Sequence, residues 1–251
     1  MTSTHSRFEL SRRRLIQGAA AVSAGFAGSS VIGPTPGAAR SLAQTPVPDD
    51  LTAAAIDAYI YGYPMISVDI DARQATNVAA PEESRAPVNQ IGSRDSFPGP
   101  DFKRVVAPNV DTLYSIAHLD LSTEPLIFQW PALGQRYFLF PFLDAWTNVI
   151  ATPGSRTTGQ GPGTLILAGP DWDGNTPAGI DLPADIISVR SPTNIAWGIA
   201  RIYTTGTEED RAAVHALQEQ LKIIPLSAWG TDYTPPVGKV DPTINMDTPT
   251  V

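Results

Sequence analysis

The residues best able to do chemistry begin with a polar run in the middle of the chain. Residues 109–115 contain Asn109, Asp111 and Tyr114 among apolar or hydroxylic neighbours. In an extended strand Asn109 and Asp111 point to one face and Tyr114 to the other, because successive side chains alternate. An aspartate at the start of an apolar strand is costly to bury without a partner. Asp111 is therefore a candidate catalytic acid or base.

Two further polar clusters follow along the chain. Asp144, Trp146 and Asn148 share one face of an extended segment, and Arg156 and Thr157 lie in a glycine-rich turn. An arginine beside hydroxyl and backbone N–H groups suits a carboxylate, sulfate or phosphate. Two carboxylates that flank a bond can divide the acid and base roles, as in glycoside cleavage.

These clusters support a site hypothesis and a structural alternative. In the site hypothesis, Asp111 and Asp144 are catalytic. The substrate-binding residues are then Asn109, Tyr114, Trp146, Asn148, Arg156 and Thr157. In the alternative, the same residues hold their own loops, because aspartate and asparagine at strand starts commonly cap turns.

Composition excludes several other chemistries. The chain of 251 residues has no cysteine, so thiolate nucleophiles, disulfides and zinc–cysteine sites are absent. No HExxH or GxSxG motif occurs, and no glycine-rich phosphate loop opens a helix. A net charge of −8 argues against nucleic acid as a partner. The Asp/Asn-rich loops permit a Ca²⁺ site without specifying one, and residues 171–175 (DWDGN) are predicted as a turn. No metal ligands are assigned and the cofactor is left open.

The first 43 residues have the pattern of an export signal. Residues 11–17 (SRRRLIQ) resemble the twin-arginine motif, and an uncharged, mildly apolar stretch follows at 18–32. That stretch is shorter than the roughly 20 residues that span a membrane. Residues 41–43 (SLA) supply the small residues of a cleavage site. We therefore predict a signal peptide over residues 1–43, no stable membrane span after cleavage, and a periplasmic or secreted protein.

Hydrophobic periodicity predicts a helix at the start of the mature chain. After a flexible lead-in over residues 44–50, Asp50 is placed as an N-cap. The apolar helix face that follows consists of Ile56, Tyr59, Ile60 and Tyr63. Gly62 and Pro64 are expected to break or kink this helix.

Most of the remaining chain has the pattern of short strands separated by glycine and proline. Strands are predicted at residues 113–121, 136–143, 163–168, 185–190 and 195–204. Thr207 and Asp210 resemble a capping box that starts a late helix, which Pro225 ends. With 24 prolines in all, the pattern predicts a mainly β fold. We expect a jelly-roll-like β-sandwich domain over residues 51–236, with an amino-terminal helical segment and one late helix, and a linker-like tail over 237–251.

Seven segments in order resemble one known family. They are residues 59–64 (YIYGYP), 108–115 (PNVDTLYS), 119–125 (LDLSTEP), 143–148 (LDAWTN), 154–159 (GSRTTG), 169–172 (GPDW) and 225–227 (PLS). This pattern is similar to the domain of unknown function 1254 family. The resemblance implies an exported bacterial protein with a jelly-roll-like β domain, and it implies no agreed activity.

The resemblance also raises the question of a second domain. Members of the family usually continue past a Gly-Lys-Val-Asp-Pro stretch, here residues 238–242, into a carboxy-terminal β domain. Two functions remain open. The first is a hydrolase or lyase that acts on a polar or sugar-like small molecule. The second is a non-catalytic ligand-binding or assembly module of a larger two-domain protein, which also permits a homo-oligomer or a missing carboxy-terminal domain as partner.

Overall fold

The computed structural model describes residues 49–102 and 107–246. The predicted signal peptide, residues 44–48 and the last five residues of the predicted tail lie outside this part of the chain. Asp49 and Asp50, predicted as lead-in and helix cap, instead form the first turn of a helix. Carboxylates are favourable there because the first N–H groups of a helix lack intrahelical acceptors. Asp50 Oδ1 accepts a hydrogen bond from the Leu51 N–H at 2.9 Å.

The first helix, α1 (Asp49–Ala75), is continuous over 27 residues and contains Pro64. Of the break or kink expected at Gly62 and Pro64, the break is therefore absent. A proline removes one N–H donor, and the backbone bonds of the turns on either side remain available. The Ser67 hydroxyl also donates to the Tyr63 carbonyl at 3.0 Å, which supports the turn that contains the proline.

Ten strands within the described residues form two sheets. Their bounds are β1 (Gly92–Ser93), β2 (Thr112–Asp120), β3 (Leu126–Trp130), β4 (Phe138–Leu139), β5 (Phe142–Asp144), β6 (Val149–Ala151), β7 (Gly163–Ala168), β8 (Ile187–Arg190), β9 (Ile195–Tyr203) and β10 (Lys222–Pro225). The six-stranded sheet has the order β1-β2-β9-β5-β6, and β4 also pairs with β9. The four-stranded sheet has the order β10-β3-β7-β8. A second helix, α2 (Glu208–Gln218), precedes β10, and a 3₁₀ turn (Leu226–Ala228) follows it.

Strands β2 and β9 form the centre of the six-stranded sheet through nine antiparallel residue pairs. The alternation predicted for residues 113–121 is present, since Leu113, Ala117 and Leu119 are buried in the core. Tyr114 and Ile116 point to the opposite face and are half-buried. Branched and aromatic residues at period two thus produce one core-facing side on each strand.

The core lies between the two sheets and is rich in aromatic rings. Phe128 of the four-stranded sheet contacts Phe140 and Phe142 at centroid distances of 5.4 and 5.2 Å. Phe140 also lies 4.9 Å from the Phe138 ring. Without disulfides, burial of this apolar surface supplies most of the stability that holds the sheets together. The predicted mainly β, sandwich-like fold with one amino-terminal and one later helix is confirmed.

Three local predictions differ from the structure. The run at 136–143 forms two short strands, β4 and β5, rather than one, because Pro141 between them has no N–H to donate to a ladder. Strand β3 was not predicted, since its buried residues show no alternation. Helix α2 ends at Gln218, and Pro225 closes strand β10 instead of the helix. Leu221 follows Val214 and Leu217 at helical spacing, so the sequence pattern gives no sign that the helix ends before it.

Candidate functional site

Asp144 ends β5 and is 2% exposed. Its Oδ1 accepts hydrogen bonds from the N–H groups of Trp146 and Asn148, both at 2.9 Å. Its Oδ2 accepts one from the Asn148 side-chain amide at 3.0 Å. Thr147, at φ 66°, closes the turn. Both carboxylate oxygens are therefore engaged within one loop, as in the structural alternative, and Asn148 is part of that loop rather than a free ligand group.

Asp111 lies just before β2 and its side chain is exposed. The neighbouring Asn109 caps the turn, because its Oδ1 accepts from the N–H groups of Asp111 and Thr112 at 2.9 and 2.8 Å. The Asp111 carbonyl accepts the Thr204 N–H at 3.0 Å, which extends the ladder to β9. Its carboxylate makes no hydrogen bond or ion pair with another residue in the described part of the chain.

Arg156 and Thr157 lie in the exposed loop after β6. The Arg156 guanidinium lies 5.8 Å from the centroid of the Tyr137 ring. The Thr157 hydroxyl donates to the Thr152 carbonyl at 2.6 Å, within the same loop. Arg156 is on the Asp111 side of the molecule, because the Tyr137 carbonyl accepts the Tyr203 N–H at the end of β9.

The register along β9 separates the two predicted catalytic residues. Asp144 pairs with Ala196, near the start of β9, whereas Asp111 lies beside Thr204, just past its end. An extended run of about eight residues covers about 26 Å. Carboxylates that share a glycosidic bond lie within about 10 Å of each other. The register therefore places Asp111 and Asp144 at opposite ends of β9 rather than side by side.

Tyr114 and Trp146 belong to a different feature, the side of the six-stranded sheet that faces away from the core. We call this side the outer face. Its central residues on β2 and β9 are Tyr114, Ile116, His118, Trp197, Ile199 and Arg201. The Arg201 guanidinium lies 5.0 Å from the Tyr114 ring centroid, so these paired residues stack across the strands. The outer face is mainly apolar and aromatic, which is unusual for a sheet surface in contact with water.

Side chains of helix α1 contact the outer face. Asp71 Oδ2 lies 3.4 Å from His118 Nε2, and His118 is buried there. Tyr61 contacts Trp146 at a ring-centroid distance of 5.8 Å. The ring N–H of Trp146 is buried with no acceptor among the described residues, as are the Trp197 ring N–H and Arg201 Nε. Buried donors are normally paired, so the packing over this face is incomplete.

Most of α1 is exposed although it is apolar. Only Val68 and Gln74 among its residues are buried. Eight large apolar side chains on α1 are exposed by 37% to 69%, and we call them the α1 surface. They are Leu51, Ile56, Tyr59, Ile60, Tyr61, Tyr63, Met65 and Ile66. The four residues predicted to form one apolar helix face are among them.

The α1 surface could not be inferred from the predicted face alone. A signal for it is nevertheless present, because Tyr59, Ile60 and Tyr61 are consecutive and point in three directions from a helix. A helix with apolar residues on all sides is usually shielded from water by other parts of the protein on more than one side.

Two classes of feature are absent from residues 49–102 and 107–246. No group of three or more histidine, aspartate or glutamate side chains is arranged to hold a metal ion there. In the same residues no helix is long and apolar enough to cross a membrane. In this part of the chain, therefore, no group of acidic side chains supports a Ca²⁺ site.

Comparison with known proteins places the chain among relatives without an assigned activity. A crystal structure of the VPA0106 protein from Vibrio parahaemolyticus is similar, with 28% identity and a TM-score of 0.54. The alignment covers 76% of this chain and 42% of that one, so this chain spans less than half of its relative. An uncharacterised protein from Burkholderia cenocepacia aligns with 15% identity and a TM-score of 0.31, over 75% of this chain and 46% of that one.

No curated protein matches the chain. The profile of one family does match it, under the description "Protein of unknown function (DUF1254)", over residues 88–225. This match covers more than half of the chain and includes β1 to β10. The resemblance noted in the sequence is thereby confirmed at the level of the family, and the chain belongs to the DUF1254 family.

Proposed function

We propose that this domain is a non-catalytic assembly module, in which the α1 surface and the outer face bind a further folded domain. The observation that carries the proposal is the set of eight large apolar side chains exposed on α1. A soluble protein seldom exposes this many large apolar side chains on one helix unless a partner covers them. The binding energy would come from removing this surface from water.

The distribution of the apolar residues favours a further domain over a second copy of the chain. Two copies related by a two-fold axis would pair one stripe of each α1 helix. Tyr59, Ile60 and Tyr61 point in different directions, so one stripe leaves part of the α1 surface in water. A folded domain that contacts both α1 and the outer face covers several sides at once. The relative VPA0106 aligns over only 42% of its chain and so has additional chain available for such a role.

The enzyme hypothesis has weaker support. It requires Asp111 and Asp144 to act on one polar or sugar-like molecule, and about 26 Å of strand separates them. Asp144 also has both oxygens engaged in its own loop. Export to the periplasm or the exterior remains part of the proposal, on the strength of the twin-arginine-like pattern in the first 43 residues. That route carries folded proteins and suits a preformed module.

The test compares the full chain with an Ile60→Glu/Tyr63→Glu double variant. These side chains are 65% and 47% exposed, so charges there should leave the fold intact. Val110→Glu is the matched control, because Val110 is 60% exposed in the loop before β2, at the opposite end of that strand from His118, where α1 contacts the outer face. Sedimentation velocity over a concentration series reports association. Fluorescence of anilinonaphthalene sulfonate reports exposed apolar surface.

We expect the wild-type chain and Val110→Glu to bind the dye and to form open-ended, concentration-dependent species. The double variant should lose most of both signals. A wild-type chain that stays monomeric and gives no more dye fluorescence than the double variant would contradict the assembly role. A single closed dimer abolished by the double variant would identify a second copy as the occupant and overturn the further domain.

A further inference from the structure

An open cleft of about 470 Å³ lies at one end of the sandwich, and no residue of α1 lines it. It lies where β2 and β7 end and where β3 and β9 begin. The side chains that matter for its chemistry are Glu124, Asp171, Trp172, Asp173, Asn194 and Leu226. Its volume falls in the range of about 300–1,000 Å³ that is typical of small-molecule sites.

We propose that this cleft binds a neutral polyhydroxyl ligand, of the chemical class of a saccharide. Trp172 and Leu226 supply apolar surface for the C–H groups of such a ligand, while the remaining side chains exchange hydrogen bonds with its hydroxyls. The site is independent of the predicted residues, since none of them lines it.

The walls of the cleft are held close together by backbone contacts. The Asn194 carbonyl accepts the Leu121 N–H at 2.8 Å, which joins the end of β2 to the residue before β9. At Gly169, a Cβ atom would lie 2.8 Å from the Leu121 carbonyl oxygen, so only glycine permits this approach. Such a preformed cleft loses little conformational entropy when a ligand binds.

Trp172 is fixed in position. It packs against the buried cluster of Ile127, Ile166 and Leu226. Its indole N–H donates to the Asn175 carbonyl at 3.1 Å. The Arg190 guanidinium lies 5.9 Å from its ring centroid. A rigid aromatic side chain at the edge of a cleft provides contact area at low entropic cost.

Two of the three carboxylates are already engaged. Glu124 accepts the N–H and the hydroxyl of Ser227 at 2.6 and 2.8 Å. Asp173 accepts the Asn175 N–H and side-chain amide, both at 2.8 Å. These bonds, the backbone one first, hold the pKa of Asp173 below its usual range. Much of the negative charge is therefore used to shape the loops rather than to attract a cation.

The polar groups that remain available to a ligand include both hydrogen-bond donors and acceptors. The Asp171 carboxylate, the Asn194 side-chain amide and the Thr123 hydroxyl make no hydrogen bond or ion pair with another described residue. Together they offer acceptors and donors. A hydroxyl group both donates and accepts, so it satisfies this set. An ammonium only donates and leaves the donors unpaired, and an anion would meet the carboxylates of the rim. The described residues also provide no carboxylate cluster for a metal ion.

The experiment measures binding to the full chain by isothermal titration and saturation-transfer NMR. The neutral probes are maltose, cellobiose and diacetylchitobiose, and spermidine is the cationic probe. The test variants are Trp172→Ala and Asp171→Asn. Trp229→Ala is the matched control for the first, because Trp229 packs on the same buried cluster and donates to the Asp181 carbonyl at 3.0 Å, outside the cleft. Asp185→Asn is the control for the exposed carboxylate.

We expect at least one disaccharide to bind with a Kd below about 1 mM. Trp172→Ala and Asp171→Asn should each weaken it by about tenfold or more, and both controls should leave it unchanged. Should Trp172→Ala fail to fold, Asp171→Asn decides alone, because Asp171 is exposed. Absence of disaccharide binding, binding indifferent to Asp171→Asn, or preference for spermidine would each overturn the proposal. The Ile60→Glu/Tyr63→Glu variant should bind the disaccharide normally, so this result is separable from the assembly role.

Discussion

At the residue scale, Asp144 shows how a buried carboxylate can be satisfied without a ligand. Its hydrogen bonds come from the residues two and four positions later, an arrangement typical of aspartate-closed turns. A catalytic aspartate at the end of a strand would be surrounded by the same types of residue in the sequence, so the sequence alone does not distinguish the two roles. The difference lies in the direction of the following N–H groups, which depends on the positive φ of Thr147.

We predict that Asp144→Asn destabilises the fold by about 2–3 kcal/mol. The new NH₂ group faces donors that previously bonded a carboxylate, which leaves buried groups unpaired. Asp111→Asn is the control and should change the free energy of unfolding by no more than about 0.5 kcal/mol, since Asp111 is exposed. Urea unfolding measures both. Equal, small effects would show that the Asp144 loop is not stabilised by its carboxylate.

At the scale of elements, a half-buried ion pair joins α2 to the six-stranded sheet. Arg136 Nη1 lies 3.1 Å from Asp210 Oδ2, and Asp210 also accepts the Thr204 hydroxyl at 2.9 Å and the Thr205 N–H at 2.7 Å. Only half of the predicted capping box forms. The Thr207 hydroxyl accepts the Asp210 N–H at 3.2 Å, while the Asp210 carboxylate turns to Arg136.

This ion pair makes stability depend on pH. The Arg136 hydrogen bond, and then the Thr205 N–H, hold the pKa of Asp210 well below its usual range. The folded state therefore keeps the carboxylate ionised where the unfolded chain already binds a proton. The stabilisation is present above the unfolded pKa of about 4 and is lost as pH falls below it.

We predict that the wild-type Tm falls between about pH 4 and pH 2, and that Asp210→Asn removes part of this slope. At neutral pH, the variant should lose about 1–3 kcal/mol, because it gives up hydrogen bonds to a charged group. Glu209→Gln, in the same helical turn, is the control. Thermal unfolding followed by circular dichroism at each pH gives both results. Identical slopes in wild type and Asp210→Asn would show that other carboxylates govern acid unfolding.

Secondary-structure elements with a clear pattern in their own sequence could be predicted. Elements whose conformation depends on pairing with a distant strand could not. Strands β2 and β9 carry long alternating patterns, and their bounds agree with prediction to within a residue or so. Helix α1 was correctly predicted as a helix, but the break expected at Pro64 is absent. A proline weakens a helix without specifying where the helix ends. Strand β10 takes its state from pairing with β3, which lies far away in sequence.

At the scale of the whole molecule, the relative positions of the predicted site residues could not be inferred for a related reason. The sequence contains the reactive residue types but does not specify the register between distant strands. The β9 pairing places Asp144 beside Ala196 and Asp111 beside Thr204, and this alone separates the candidate acids. The cleft at Trp172 was missed because its walls come from four separate segments of the chain, each of which has the sequence pattern of an ordinary loop.

The whole molecule should also unfold in two parts of unequal stability. The sandwich shares one core, in which Phe140 is 1% exposed. The first half of α1 rests on no core residue, and isolated helices are marginal in water. Hydrogen exchange should therefore be slow in β2 and β3 and fast over residues 51–60.

The Phe140→Ala variant tests whether the sandwich and the first half of α1 unfold independently. It should cost about 3–5 kcal/mol, since it opens a cavity among packed rings. Protection of β2 and β3 should fall together, because the ring joins both sheets through one core. Exchange over residues 51–60 should not change, since these amides already open independently. Strong protection there in the wild-type chain would mean that α1 is already covered, and the assembly surface would have to lie elsewhere. Fast exchange that slows only when a partner domain is added would instead tie the stability of α1 to the occupant of its surface.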